Sequence, residues 1–130
     1  MVTKPTPIKS LKTGNYVMAE GEPCQVLSMQ VSKTGKHGST KARIETMGIF
    51  DGKRRYILKP TSDNVETPII DKKKAQVLSV TGNIAQLMDL DDYSTFDASI
   101  PEELKGRLEA QKEVAYWKIE NRVLIKEVRG

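Results

Sequence analysis

Apolar and polar positions alternate with a period of two through much of the chain. Ala42, Ile44 and Thr46 fall on one side and Lys41, Arg43 and Glu45 on the other; Leu27, Met29 and Val31 oppose Ser28 and Gln30 in the same way. A period of two puts successive side chains on opposite faces of a strand, so these segments predict half-buried sheet. Strands are expected over residues 15–20, 24–31, 41–47 and 55–59. Turn signals separate them at Gly14, Gly21-Glu22-Pro23, Gly35/Gly38 and Asp51-Gly52. Strands this short, at this spacing, predict a compact barrel rather than an open sheet.

A polar, proline-bearing stretch over residues 60–68 reads as a loop or short strand closing that barrel, with a linker near 69–72. Beyond it, residues 75–81 and 84–90 flank Gly82-Asn83, a tight hairpin signal. Residues 94–98, 117–119 and 122–128 complete the strand set. Between them the pattern changes. Ser99 stands three residues before Glu102 in capping-box spacing, and Pro101 suits a first helical turn. Ile100, Leu104 and Leu108 then recur every four residues, predicting one short helix that Gly106 weakens. Three strands, a helix and further strands are the layout of an OB-type barrel. The expected fold is therefore all-β with one short helix, in two barrels over residues 1–70 and 71–130.

At 130 residues, 38% hydrophobic and 29% charged, the chain suits one ordinary domain or two very small ones. No apolar run approaches membrane-span length, and residues 1–10 lack the apolar stretch of a secretion signal, so no membrane association is expected. The single cysteine, Cys24, has no intrachain disulfide partner and lies in a strand, which predicts a small buried side chain and a reducing, cytoplasmic setting. The net charge of +4 is unevenly spread: residues 1–70 carry 11 Lys/Arg against 6 Asp/Glu, whereas residues 71–130 carry 10 against 11. That asymmetry points to a polyanion engaged by the first half, with a merely solvated basic surface as the alternative. In the second half, Lys72-Lys73-Lys74 is the candidate RNA contact. The run Asp89, Asp91, Asp92 and Asp97 disfavours a general single-strand binder, and Tyr116 and Trp117 read as core or core edge.

The candidate chemistry lies in Ser32-Lys33-Thr34-Gly35-Lys36-His37-Gly38-Ser39-Thr40-Lys41, a ten-residue segment too polar for core and bracketed by strands. Gly35 and Gly38 allow a sharp tip that exposes Lys36, with Lys33, Lys41 and Arg43 crowding the same end of the sheet. A simple hairpin turn needs no such length, and long loops in compact domains are disproportionately functional. A phosphate-binding loop is excluded by spacing, because Gln30 stands where the first glycine belongs and His37 where Ser or Thr must follow the lysine. An enzyme with Lys36 as nucleophile and His37 as acid–base lacks an apolar pocket to depress the lysine pKa. A general RNA-binding module with an unmodified basic loop remains a rival to a presented lysine whose chemistry another protein installs.

Lys33-Thr34-Gly35-Lys36-His37-Gly38, followed by Lys41, resembles the signature of the translation factor 5A family, the hypusine-containing relatives of bacterial elongation factor P. The resemblance spans essentially the whole chain and implies an N-terminal SH3-like barrel followed by an OB-fold barrel. The short N-terminus, and Ser39 where eukaryotic members carry a second histidine, resemble the archaeal branch and leave hydroxylation of the modified lysine unsupported. The resemblance implies that Lys36 receives an aminobutyl group from spermidine through deoxyhypusine synthase, with no other cofactor and no metal. It implies a monomeric, non-enzymatic factor that binds the ribosome and presents the extended Lys36 near the peptidyl-transferase centre and peptidyl-tRNA, relieving stalls such as those at consecutive prolines. Gly35, His37 and Gly38 would shape the tip, while Lys33, Lys41 and Arg43 would contact rRNA phosphates.

Overall fold

The structure is a computed structural model that describes residues 3–33 and 40–129. Two compact units divide the chain, Met1–Ile69 and Ile70–Gly130. No helix among the described residues is long and apolar enough to cross a membrane.

The first unit contains β1 (Thr3–Pro7), β2 (Tyr16–Ala19), β3 (Glu22–Lys33), β4 (Thr40–Gly48), β5 (Arg54–Pro60) and β6 (Asn64–Pro68). Strands β2 to β5 form a meandering antiparallel sheet, and β1 pairs with β6 as a separate two-stranded ribbon. The ribbon joins the first strand to the last, from Thr3↔Pro68 to Pro7↔Asn64. Residues 60–68 thus supply the expected closing strand. The apolar set converges on Ile8, Val17, Cys24, Val26, Ala42 and Ile44, all at most 1% exposed. Thr46 joins this core because its hydroxyl donates to the Arg55 carbonyl at 2.7 Å, removing the cost of an unpaired buried group. The β4–β5 turn is held by a bidentate pair: Arg55 Nη1 and Nη2 lie 3.1 and 2.8 Å from the two Asp51 carboxylate oxygens. With the Lys53 amide adding to it, this keeps the Asp51 carboxyl well below the usual carboxylate range.

The second unit contains β7 (Asp71–Thr81), β8 (Ile84–Asp89), β9 (Thr95–Ser99), β10 (Glu113–Ile119) and β11 (Arg122–Arg129) in one sheet ordered β11-β10-β7-β8-β9. Strands β7 and β8 join through Gly82-Asn83 as expected, Thr81 facing Ile84 and Gly82 taking φ +59°. Strand β7 begins at Asp71, so Lys72-Lys73-Lys74 lies in sheet rather than beside it.

The predicted helix is absent. Only a single 3-10 turn forms, over Glu102–Leu104, and Ser99 ends β9 instead of capping it. Lys105 is already extended, at φ −59° and ψ 135°, and Gly106 takes φ +80°, a left-handed angle that no right-handed helix contains. Ile100, Leu104 and Leu108 are nevertheless buried in the barrel core. Their four-residue spacing reports burial, not helical winding. The two readings predict opposite outcomes for Gly106→Ala. In a helix the change would stabilise by about 1 kcal/mol. At φ +80°, with open space around the site, alanine should instead destabilise by roughly 1 kcal/mol through backbone strain. Urea unfolding of the two proteins measures the sign.

Asp89 is 1% exposed at the end of β8. Its carboxylate accepts the Tyr116 hydroxyl, the amides of Asp91 (2.7 Å) and Asp92 (3.2 Å), and lies 3.3 Å from the Lys73 ammonium. Burial pushes its pKa up, but these donors outweigh that and hold it at about 2. Burial first, and then the Asp89 carboxylate, push the Tyr116 phenol well above its ordinary value. Asp89 therefore belongs to the core, not to a phosphate-repelling surface run, and no buried side-chain polar atom among the described residues lacks a partner.

Candidate functional site

The β3–β4 hairpin places the candidate residues. Nine paired positions connect its strands, from Cys24↔Gly48 to Lys33↔Thr40, with a bulge between Val26 and Ser28. The ladder continues beyond the strands that alternation suggested, by two residues on the β3 side (Ser32 and Lys33) and by one on the β4 side (Thr40). The ten-residue loop expected from the sequence is thus too long, because Ser32, Lys33, Thr40 and Lys41 are all paired strand residues. Thr61, just beyond β5, fastens this end: its amide and hydroxyl both donate to the Thr40 carbonyl, at 2.8 and 3.2 Å. Gly35, Lys36, His37 and Gly38 lie outside the described residues.

Lys41 and Arg43 share the outward face of β4, opposite Ser32 and Gln30, while Ala42 and Ile44 on the reverse face are fully buried. Cross-strand partners share a face, so Lys33, opposite Thr40, belongs to the other side. The structure therefore puts the three cations at one end of the sheet, as expected, but splits them between its two faces. No carboxylate among the described residues pairs with Lys33, Lys41 or Arg43. All three are exposed and have their charge available to a partner.

Sequence reasoning missed Tyr56 and Leu58. Strand β5 alternates Arg54, Tyr56 and Leu58 outward, beside Met47, Glu45 and Arg43 of β4. Tyr56 is 51% and Leu58 66% exposed. The Arg43 guanidinium stands 4.8 Å from the Tyr56 ring centroid, a cation–π contact that steadies the arginine without neutralising it. Glu45, the one acid on this face of β4, is occupied by Arg54 and by the Ser28 hydroxyl at 3.3 Å. The signal was available in the period-two pattern of residues 54–58. Together Lys41, Arg43 and Tyr56 make a surface suited to phosphate contact beside the residues that bracket Lys36.

Two family models cover nearly the whole chain. Residues 2–63 match "Translation initiation factor 5A-like, N-terminal", and residues 69–129 match "Eukaryotic elongation factor 5A hypusine, DNA-binding OB fold". The chain belongs to the translation factor 5A family. A translation initiation factor 5A from Archaeoglobus fulgidus is 50% identical over 109 residues, covering 84% of this chain and 85% of the relative. One from Pyrobaculum islandicum is 49% identical over 132 residues, covering 99% and 100%. Among solved structures, the translation initiation factor 5A of Methanococcus jannaschii superposes with a TM-score of 0.89 at 44% identity, covering 98% of this chain and 99% of that one. A family member from Naegleria fowleri superposes at 0.79 with 31% identity over the full length of both. The translation factor 5A fold, an SH3-like barrel and an OB-fold barrel, accounts for both units, and the archaeal relatives agree with the branch suggested by Ser39.

Proposed function

We propose that Lys36 is the acceptor of a spermidine-derived aminobutyl group added by deoxyhypusine synthase, and that the extended side chain is this protein's working part. The observation that carries this reading is the position of the signature. Lys33-Thr34-Gly35-Lys36-His37-Gly38 starts at Lys33, where β3 ends, and precedes Thr40, where β4 begins, in a chain whose C-terminal match is described as a hypusine factor. Lengthening Lys36 and adding a second amine yields a thin, flexible dication that can enter a crevice closed to folded backbone.

The partner is the ribosome. Lys41 and Arg43 on one face and Lys33 on the other grip rRNA phosphates, positioning the hairpin without reading sequence. The modified lysine then reaches toward the peptidyl-transferase centre and the acceptor end of peptidyl-tRNA, favouring bond formation where poor substrates such as consecutive prolines stall it. The protein acts as a monomer and performs no covalent chemistry of its own. The test is peptide mass spectrometry on protein purified from its native host. The peptide containing Lys36 should carry the mass of one aminobutyl group, with or without a further oxygen. Unmodified Lys36 in fully active native protein would overturn the reading in favour of an RNA-binding module with a bare basic loop.

A further inference from the structure

The two strands that bracket the signature segment are not held alike. From Leu27 to Lys33, β3 has β4 as its only paired strand, because its pairing with β2 stops at Gln25. Strand β4 is flanked on both sides, by β3 and by β5. Its ladder with β5 ends at Lys41↔Pro60, and proline has no N–H to donate. Thr61 takes over that task. Its amide donates to the Thr40 carbonyl at 2.8 Å and its hydroxyl to the same oxygen at 3.2 Å, so one residue fills both lone pairs. Any residue but proline could supply the amide, whereas the second bond needs a short hydroxyl side chain.

Thr61 can serve as a fixed point because its own turn is braced. The Asp63 amide donates to the Pro60 carbonyl at 3.0 Å, and the Asn64 amide to the Asp63 carboxylate at 2.8 Å. The Asp63 carbonyl in turn accepts the amide of Ile8, a core residue 1% exposed, at 3.2 Å. Asn64 then opens β6 opposite Pro7. A continuous path thus leads from the core at Ile8, through the turn at residues 60–64, to the carbonyl of Thr40, where β4 begins. We propose that Thr61 is a positioning residue for Lys36: it holds the Thr40 end of the β3–β4 hairpin in the orientation that the modifying enzyme must bind. This rests on the function proposed above for Lys36. Thr61 touches no reacting group and acts by pre-organisation. A hairpin end that spends less time in its productive orientation is bound more weakly by that fraction, while the complex, once formed, reacts at its usual rate. Loss of the hydroxyl should therefore appear in KM and not in kcat.

Thr61→Val keeps the amide and the side-chain shape and removes only the hydroxyl. Full-length protein is incubated with deoxyhypusine synthase and labelled spermidine, and incorporation is followed at increasing protein concentration. Thr61→Val should raise KM about fivefold, the effect of one hydrogen bond of about 1 kcal/mol, with kcat unchanged. Thr61→Ser, which restores the hydroxyl, should bring KM back to within about twofold of wild type. Thr46→Val is the matched control, because it removes a hydroxyl bond to the Arg55 carbonyl, 2.7 Å long, from the interior of the same sheet. It should lower Tm at least as much as Thr61→Val and leave KM alone. Hydrogen exchange needs no enzyme: protection of the amide at position 61 should fall about fivefold in Thr61→Val. An unchanged KM in Thr61→Val, a change confined to kcat, or an equal rise of KM in Thr46→Val would overturn the assignment. No incorporation into wild type would instead overturn the reading of Lys36, and the fall in protection would then leave Thr61 a structural fastening only.

Discussion

Lys36→Arg is expected to reduce peptide-bond formation on consecutive prolines to the rate seen without the factor, while leaving the protein folded. Arginine keeps one positive charge at position 36. It lacks the primary amine that, in the function proposed above, accepts the aminobutyl group, so the proposed length and second charge would both be lost. If charge alone mattered, the variant would work. Reconstituted translation of a polyproline reporter, with modified wild type and Lys36→Arg compared at equal concentration, gives the answer. Normal relief of stalling by the variant would remove the extended side chain from the mechanism. By contrast, Lys41→Gln or Arg43→Gln should weaken ribosome binding in a salt-dependent way and leave modification of Lys36 intact, because each removes only one of the proposed phosphate contacts.

Asp89→Ala carries the largest stability effect expected away from the hairpin. The change strands the Tyr116 hydroxyl and the amides of Asp91 and Asp92 and leaves Lys73 without its carboxylate. Removing one member of a buried charged network costs about 3 kcal/mol, well above the effect of most surface changes. For a unit of this size that is a fall in Tm on the order of 15 °C. The same group sets an acid limit. Its folded pKa of about 2 lies below the ordinary 3.8, so the stabilisation it supplies is complete above about pH 4 and is lost as pH falls toward about 2. Circular dichroism melts between pH 2 and 6 should show that loss in the wild type and a flatter profile in Asp89→Ala. Equal Tm values for the two proteins at pH 6 would mean that the network contributes nothing to stability.

Much of this architecture was legible in alternation alone, because a period of two fixes which side chains share a face. Ala42, Ile44 and Thr46 are buried and Lys41 and Arg43 exposed, as that pattern requires. Strand β1 was not legible. Pro5 and Pro7 argue against a strand, and they are tolerated only because β1 pairs on one side, with β6. The helix was misread because its cap spacing and four-residue apolar repeat are also satisfied by a chain that turns at Gly106 while burying the same three side chains. Asp89 looked like one member of an acidic run, since the tyrosine that accounts for it lies 27 residues further on. At the hairpin, the strands and their facing were readable from residue chemistry, whereas the meaning of Lys36 came from the family signature. Glycines and lysines indicate a presented basic tip; nothing in their physical chemistry specifies a group derived from spermidine.

The ribbon between Thr3–Pro7 and Asn64–Pro68 also bears on how the protein is made. Strands β3 and β4 are near neighbours along the chain and can pair as soon as both have been synthesised, at little cost in loop closure. Strand β1 has to wait for residues more than fifty positions later, so the first barrel stays open at its seam for most of its own synthesis. The hairpin that brackets Lys36 should accordingly be the early event and closure the late one. A released chain ending at Pro60 would contain both strands of the β3–β4 ladder but would lack the strand that seals the barrel.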